Sequence, residues 1–281
     1  YPLFLAVGEE KIDEINIPLQ KSFIGDSIGQ CEIDFSIGES DKTSTNSFKL
    51  SDLIIISYTQ NTLNVKPNEI FLISGKAIKE NSENVNGTIE LKLTIINVPE
   101  ITAITQILDG QFTLNATLPS NAPAGSYSTN IFAYEKDSKK QISNKGTSAY
   151  GIKVEQVPTK IEISIGNKVL DPDTDLKFTP ILQDQTGQKI YSPMTITIKN
   201  EKQKTIYEAE KTTDEEINYH LDSQTKPGTW TIHIKSNELE TETQININQK
   251  EIITTQIIND TLIVTNTGNV RYDKPVEVLI G

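Results

Sequence analysis

The chain has 281 residues, a formal net charge of −12, a sequence pI near 4.8 and only 6% aromatic residues. That length leaves room for two or three domains, each with a modest core. The acidity, with 26 dispersed Lys and Arg, excludes a nucleic-acid partner, because phosphate contacts need clustered basic residues. A single cysteine, Cys31, excludes an internal disulfide framework and any multi-cysteine metal site, although many exported proteins carry no disulfide.

No stretch repeats apolar residues at helical spacing, and none is an apolar run of about 20 residues long enough to span a bilayer. Threonine and β-branched aliphatics are abundant and favour strands. The expectation is an all-β chain of tandem immunoglobulin-like β-sandwich domains. Residues 1–7 are too short and too little charged for an export signal. With no initiator methionine, the start reads as a mature end behind a removed signal, or as a trimmed end.

Residues 1–99 read as a first sandwich. Cys31, Ile33, Phe35 and Ile37 alternate with Glu32, Asp34 and Ser36, which predicts a half-buried strand closed by Gly38, with the thiol inward. The run from Leu53 to Ile56 predicts a central strand covered on both faces. An edge strand and turn over residues 61–69 follows, then strands over 70–78 and 88–96, and Pro99 ends the module.

Residues 100–157 read as a smaller module. Phe112, Leu114, Ala116 and Leu118 alternate, and so do Tyr127, Thr129, Ile131 and Ala133. A unit this short buries little surface and is expected to lean on a neighbour.

Residues 158–248 carry six or seven short strands separated by turn signals, the pattern of an immunoglobulin-type sandwich. Its clearest strand follows the turn Lys226-Pro227-Gly228: Trp230, Ile232 and Ile234 share one face, Thr231, His233 and Lys235 the other. The same glycine-then-large-residue signature precedes Tyr127 (Gly125) and Ile89 (Gly87), as if it marked one structural point in three modules. Residues 249–281 supply strands at 252–258, 262–265 and 276–280, with turns at Asn259-Asp260 and Gly268-Asn269. They read as an incomplete immunoglobulin-like module, finished by further chain or by strand donation from a neighbour, for which residues 1–7 are the candidate donor.

The run from Leu262 to Tyr272, with Val276 to Gly281 after it, resembles the start of immunoglobulin-like modules in archaeal cell-surface proteins. Val157-Pro158-Thr159-Lys160-Ile161-Glu162-Ile163 and Asp184-Gln185-Thr186-Gly187 resemble the module before it. The resemblance implies an exported, often membrane-anchored ectodomain whose anchor would lie in other segments. Its motifs are turn and strand chemistry, so it assigns no catalytic, cofactor-binding or metal residue.

The residues themselves assemble no chemical site. His220 and His233 fall on outward positions of alternating strands and lack a matched ligand set. Asp171-Pro172-Asp173-Thr174-Asp175 has half the spacing of a calcium loop, but Leu176 stands where its glycine is required, so a turn between strands is the simpler reading. No nucleophile elbow, P-loop or dinucleotide fingerprint occurs, and no cofactor is expected. Three N-x-[ST] acceptors, Asn86, Asn115 and Asn259, are possible N-glycosylation sites in a chain rich enough in Asn and Thr to produce them by chance.

The expected function is a noncatalytic extracellular or cell-surface glycoprotein: a spacer, adhesin or envelope component. The alternatives are a glycan or ligand receptor using Tyr134, Tyr150 and Tyr191, a self-assembling filament or surface-lattice subunit, and accessory domains of a larger enzyme. Partners would be other surface proteins, copies of itself or glycans.

Overall fold

The computed structural model describes residues 4–12, 14–17, 19–37, 41–277 and 279. The chain divides into two compact units, residues 1–119 with 125–154, and residues 120–124 with 155–281.

The first unit opens with a segment of small ribbons around one helical turn, α1 (Lys21–Ile24). Strand β1 (Gly29–Cys31) pairs with β4 (Phe48–Leu50), and β2 (Asp34–Ile37) pairs with β3 (Asp41–Ser44). The expected alternation is present: Cys31, Ile33 and Phe35 are half-buried, and Glu32, Asp34 and Ser36 are exposed. The run nevertheless breaks into two strands with different partners, and no described side chain from 4 to 52 is fully buried. Gly38, expected to close the strand, lies outside the described residues.

A sandwich begins at residue 54. Its strands are β5 (Ile54–Tyr58), β6 (Thr62–Val65), β7 (Ile70–Lys79), β8 (Gly87–Leu93), β9 (Ile101–Ile107), β10 (Gln111–Thr117), β11 (Gly125–Lys136) and β12 (Ile142–Val154). They form a three-stranded sheet, β10-β7-β5, and a five-stranded sheet, β6-β12-β11-β8-β9. Alternation decides which side chains form the core. Phe71 and Ile73 on β7 stand opposite Ala116 and Leu114 on β10. Ile89, Leu91, Ile131, Ala133, Tyr150 and Ile152 supply the buried face of the other sheet.

The second unit repeats this plan with β13 (Pro158–Ile165), β14 (Val169–Leu170), β15 (Thr174–Asp184), β16 (Lys189–Ile190), β17 (Pro193–Lys199), β18 (Thr205–Thr212), β19 (Ile217–Leu221), β20 (Gly228–Ser236) and β21 (Leu239–Ile247). One sheet joins β13, β15, β19 and the short β16; the other runs β14-β21-β20-β17-β18. Leu176, Phe178, Ile196, Ile198, Trp230, Ile232 and Ile234 lead its core.

With β16 set aside, the two strand plans superimpose element by element: β5 on β13, β6 on β14, β7 on β15, β8 on β17, β9 on β18, β10 on β19, β11 on β20 and β12 on β21. In both, the one parallel strand pairing joins the short second strand to the last, β6 with β12 and β14 with β21. In immunoglobulin letters, A, B and E face A′, G, F, C and C′. The all-β, immunoglobulin-like class therefore follows from hydrogen-bonded order alone.

That order corrects the expected boundary at 99/100. Strand β8 pairs with β9 across Pro99, and β7 with β10, so the module read over 100–157 is the second half of the sandwich begun at 54. Pro99 follows a turn around Asn97, whose φ is 62°, between strands C and C′. The order also corrects the glycine signature. Gly125 and Gly228 open the F strands of the two sandwiches at φ 152° and 127°. Gly87 opens a C strand, and its requirement is space: a Cβ there would lie 2.2 Å from the Tyr134 carbonyl oxygen. Residues 53–56 are not a central strand either. Strand β5 is the last of its sheet, and Leu53 and Ile55 are 47% and 45% exposed.

After β21 come β22 (Ile253–Ile258) and β23 (Thr261–Asn266), an antiparallel hairpin around Asn259 and Asp260. Both turn residues have positive φ, 45° and 62°, as a two-residue type I′ loop requires. Asn269 fixes its base, donating to the carbonyls of Thr225 and Asn248 and accepting from Lys250 N. The strand expected at 276–280 is absent from 276, 277 and 279; its remaining positions lie outside the described residues.

Candidate functional site

The titratable candidates gather at one end of the second sandwich. The turn from β14 to β15 carries Asp171 and Asp173, and β15 begins beside Asp175. Because β15 pairs with β19 in the register Asp175↔His220, the His220 Nδ1 lies 2.9 Å from Asp175 Oδ1, and its Nε2 is 3.8 Å from Asp173. The hydrogen bond to Asp175 raises the His220 pKa above 6.5 and lowers that of Asp175. Asp171 turns elsewhere, accepting from Asn248 Nδ2 at 2.8 Å and Lys250 Nζ at 2.9 Å; these bonds lower its pKa. The half calcium loop is thus divided between two sets of partners. Among the described residues, no group of three or more His, Cys, Asp or Glu is arranged to hold a metal ion.

His233 lies apart on β20, 3.4 Å from Glu240. Cys31 is half-buried, not buried, and lines a shallow pocket of about 440 Å³ with Phe23, Ile33, Phe48 and Leu50. Asn86, Asn115 and Asn259 are all exposed. Asn86 Oδ1 accepts from the Asp109 amide at 2.8 Å, which commits that side chain to its turn, whereas Asn115 stands on the outward face of β10 beside Leu72.

The three tyrosines proposed as binding groups separate sharply. Tyr191 is 72% exposed. Tyr150 is 2% exposed and packs edge-on against Tyr58 with ring centroids 4.8 Å apart, so it belongs to the core and is withdrawn from any surface. Tyr134 belongs to a patch that the sequence reading missed. Residues two apart on a strand share a face, and Phe132 and Tyr134 stand side by side on the outward face of β11, 5.4 Å between centroids. Lys136 Nζ lies 5.2 Å from the Tyr134 ring, and the Tyr134 hydroxyl donates to Glu90 at 3.0 Å. Burial and that carboxylate raise the Tyr134 pKa. Two half-buried rings beside a cation and a carboxylate offer stacking and hydrogen bonding on a rigid sheet. The spacing Phe132-Ala133-Tyr134-Glu135-Lys136 was the available signal.

A scan against protein-family models finds no match, and neither does a search of curated proteins. Solved structures share the architecture at low identity. The Escherichia coli adhesin FdeC aligns at 12% identity and a TM-score of 0.42, over 79% of this chain and 74% of that one. The Yersinia pseudotuberculosis adhesin InvE aligns at 12% and 0.31, over 69% and 58%. A Salmonella alpha-2-macroglobulin aligns at 13% and 0.29, over 75% of this chain and 16% of that one. The likeness concerns the fold, and the fold assignment rests on the strand pairing given above.

Proposed function

We propose that this chain is a noncatalytic portion of a surface-exposed or secreted protein in which successive sandwiches act as a spacer, as in an adhesin stalk or envelope component. The observation that carries this reading is the direction of the chain through each sandwich. The parallel pairs β6–β12 and β14–β21 make the last strand run the same way as the first. The polypeptide therefore enters each sandwich at one pole and leaves it at the other, the connection that a spacer module needs. The resemblance of residues 262–272 to archaeal surface modules is in keeping with it. Antibodies against residues 54–247 should label intact cells as strongly as permeabilised ones. Labelling that appears only after permeabilisation refutes the proposal.

A second reading, a glycan or ligand receptor, is favoured by the outward pair Phe132 and Tyr134 beside Lys136 and Glu90. On a glycan array it requires saturable binding that Phe132→Ala and Tyr134→Ala both abolish. Binding that survives both substitutions removes this face from consideration.

A further inference from the structure

A β-sandwich leaves strand edges whose unpaired backbone groups are templates for pairing, and proteins block them with charge, proline, short length or cover. In the second sandwich the long edges are charged: Lys160 and Glu162 on β13, Glu208, Glu210 and Lys211 on β18. In the first, β5 lies along β12, with Leu53 bridged to Lys145, and Lys145 N donates to the Asp52 carbonyl. Strand β6 is short and runs into Lys66-Pro67. Strand β10 shows only polar side chains outward: Gln111, Thr113, Asn115 and Thr117.

Strand β9 has neither charge nor proline, and among the described residues the only cover on its outer edge is at its end, where Leu108 and Gln111 exchange backbone hydrogen bonds as the chain turns into β10. Ile101-Thr102-Ala103-Ile104-Thr105-Gln106-Ile107 contains no charge and no proline, and it is the outermost strand of its sheet, paired to β8 alone. Ile104, at its middle, is 66% exposed; Leu108 beyond it is 69% exposed.

We infer that β9 is a homotypic interface at which a second copy of this chain adds its own β9, antiparallel, across a two-fold axis through Ile104. The pairing then sets Ile104 against its symmetry mate, Thr102 against Gln106, Ala103 against Thr105 and Ile101 against Ile107. The two sheets β6-β12-β11-β8-β9 become one. The occupant follows from charge. Each copy carries −12, so copies repel, and approach is least opposed along a neutral strip. A two-fold pairing also brings identical strands together, so the acidic residues of β18 would face acidic residues, whereas β9 brings only apolar and hydroxyl or amide side chains into register. This interface does not depend on the spacer reading.

The test is sedimentation equilibrium of the full chain from micromolar to millimolar concentration. A reversible dimer is expected, and Ile104→Lys should weaken it by at least about tenfold, since two ammonium groups replace two apolar side chains at the symmetry centre. The substituted side chain is exposed, so an unchanged circular dichroism spectrum verifies folding. Glu208→Lys, which lowers the net negative charge more, should leave the dimer no weaker. In a Cys31→Ser background, Ile104→Cys should yield a disulfide between copies, because antiparallel partners have Cα atoms about 4.5–5.5 Å apart. A monomer at every concentration, a dimer undiminished by Ile104→Lys, or introduced thiols that do not join would each overturn the proposal.

Discussion

Replacing Trp230 by alanine tests how the second sandwich is held together. Trp230 is 5% exposed and stands on β20 opposite Ile245 of β21, in one core whose buried residues all lie between 161 and 247. A tryptophan buries about 150–250 Å², which at about 25 cal/mol per Å² corresponds to about 4–6 kcal/mol as an upper bound. Partial collapse of the cavity brings the expected loss to about 4 kcal/mol, within the range of about 3–5 seen for such truncations. For a sandwich of roughly a hundred residues this lowers Tm by about 15–20 °C. Differential scanning calorimetry should show one transition moving down by that amount while the transition of the first unit stays in place. Because Trp230 is the only tryptophan, the parent protein's fluorescence reports on this core, and native emission should be blue-shifted and poorly quenched by acrylamide. A loss below about 1 kcal/mol, the level of an ordinary surface substitution, or free acrylamide access, would refute the placement.

Gly87→Ala should destabilise the first sandwich by about 2 kcal/mol, because the added methyl meets a main-chain oxygen that cannot rotate away; urea denaturation of the variant with an unshifted midpoint would contradict this. Asp184, 3% exposed, is opposed by burial but accepts bonds from Gln156 Nε2, the Thr186 hydroxyl, and the Thr186 and Gln188 amides, and its pKa is lowered overall. The stability it contributes is therefore present above the unfolded value near 3.8 and disappears as pH falls through the lower folded value; acid titration of Asp184→Asn should show a shallower loss than the parent in that window. Cys31, half-buried in the segment that lacks a buried core, should react with a thiol reagent in the native protein before either sandwich melts, and protection lasting until global unfolding would contradict that.

Period-two alternation made the strands legible: Phe112, Leu114 and Ala116 point inward as read, and so do Trp230, Ile232 and Ile234. What alternation does not encode is which strand lies beside which. Pro99 looks like a terminator because a proline after a turn has the same sequence appearance between domains as between strands C and C′ of one sheet; only the pairing of β8 with β9 distinguishes them. The apolar run at 53–56 misleads for a related reason, since continuous hydrophobicity marks a strand covered on both faces, whereas here one face is open, with Leu53 and Ile55 47% and 45% exposed. The inward position of Tyr150 is legible in the sequence, because period-two alternation puts it on one face with Ile152 and Val154, both buried. The outward pair Phe132 and Tyr134 needed the sheet to be seen as wet on one side, which spacing alone does not state.

The parallel coupling of A′ to G governs how each sandwich responds to tension along the chain. A pull at the two poles slides β6 past β12, and β14 past β21, so the bonds between each pair are sheared together and must yield together; an antiparallel hairpin opened from its end gives way one bond at a time. The first sandwich joins four residue pairs in this clamp, from Thr62↔Gly151 to Val65↔Val154. The second joins two, Val169↔Asn246 and Leu170↔Ile247. Stretched in series, the second sandwich is the weaker link, rupturing at lower force and lengthening the chain while the first still holds.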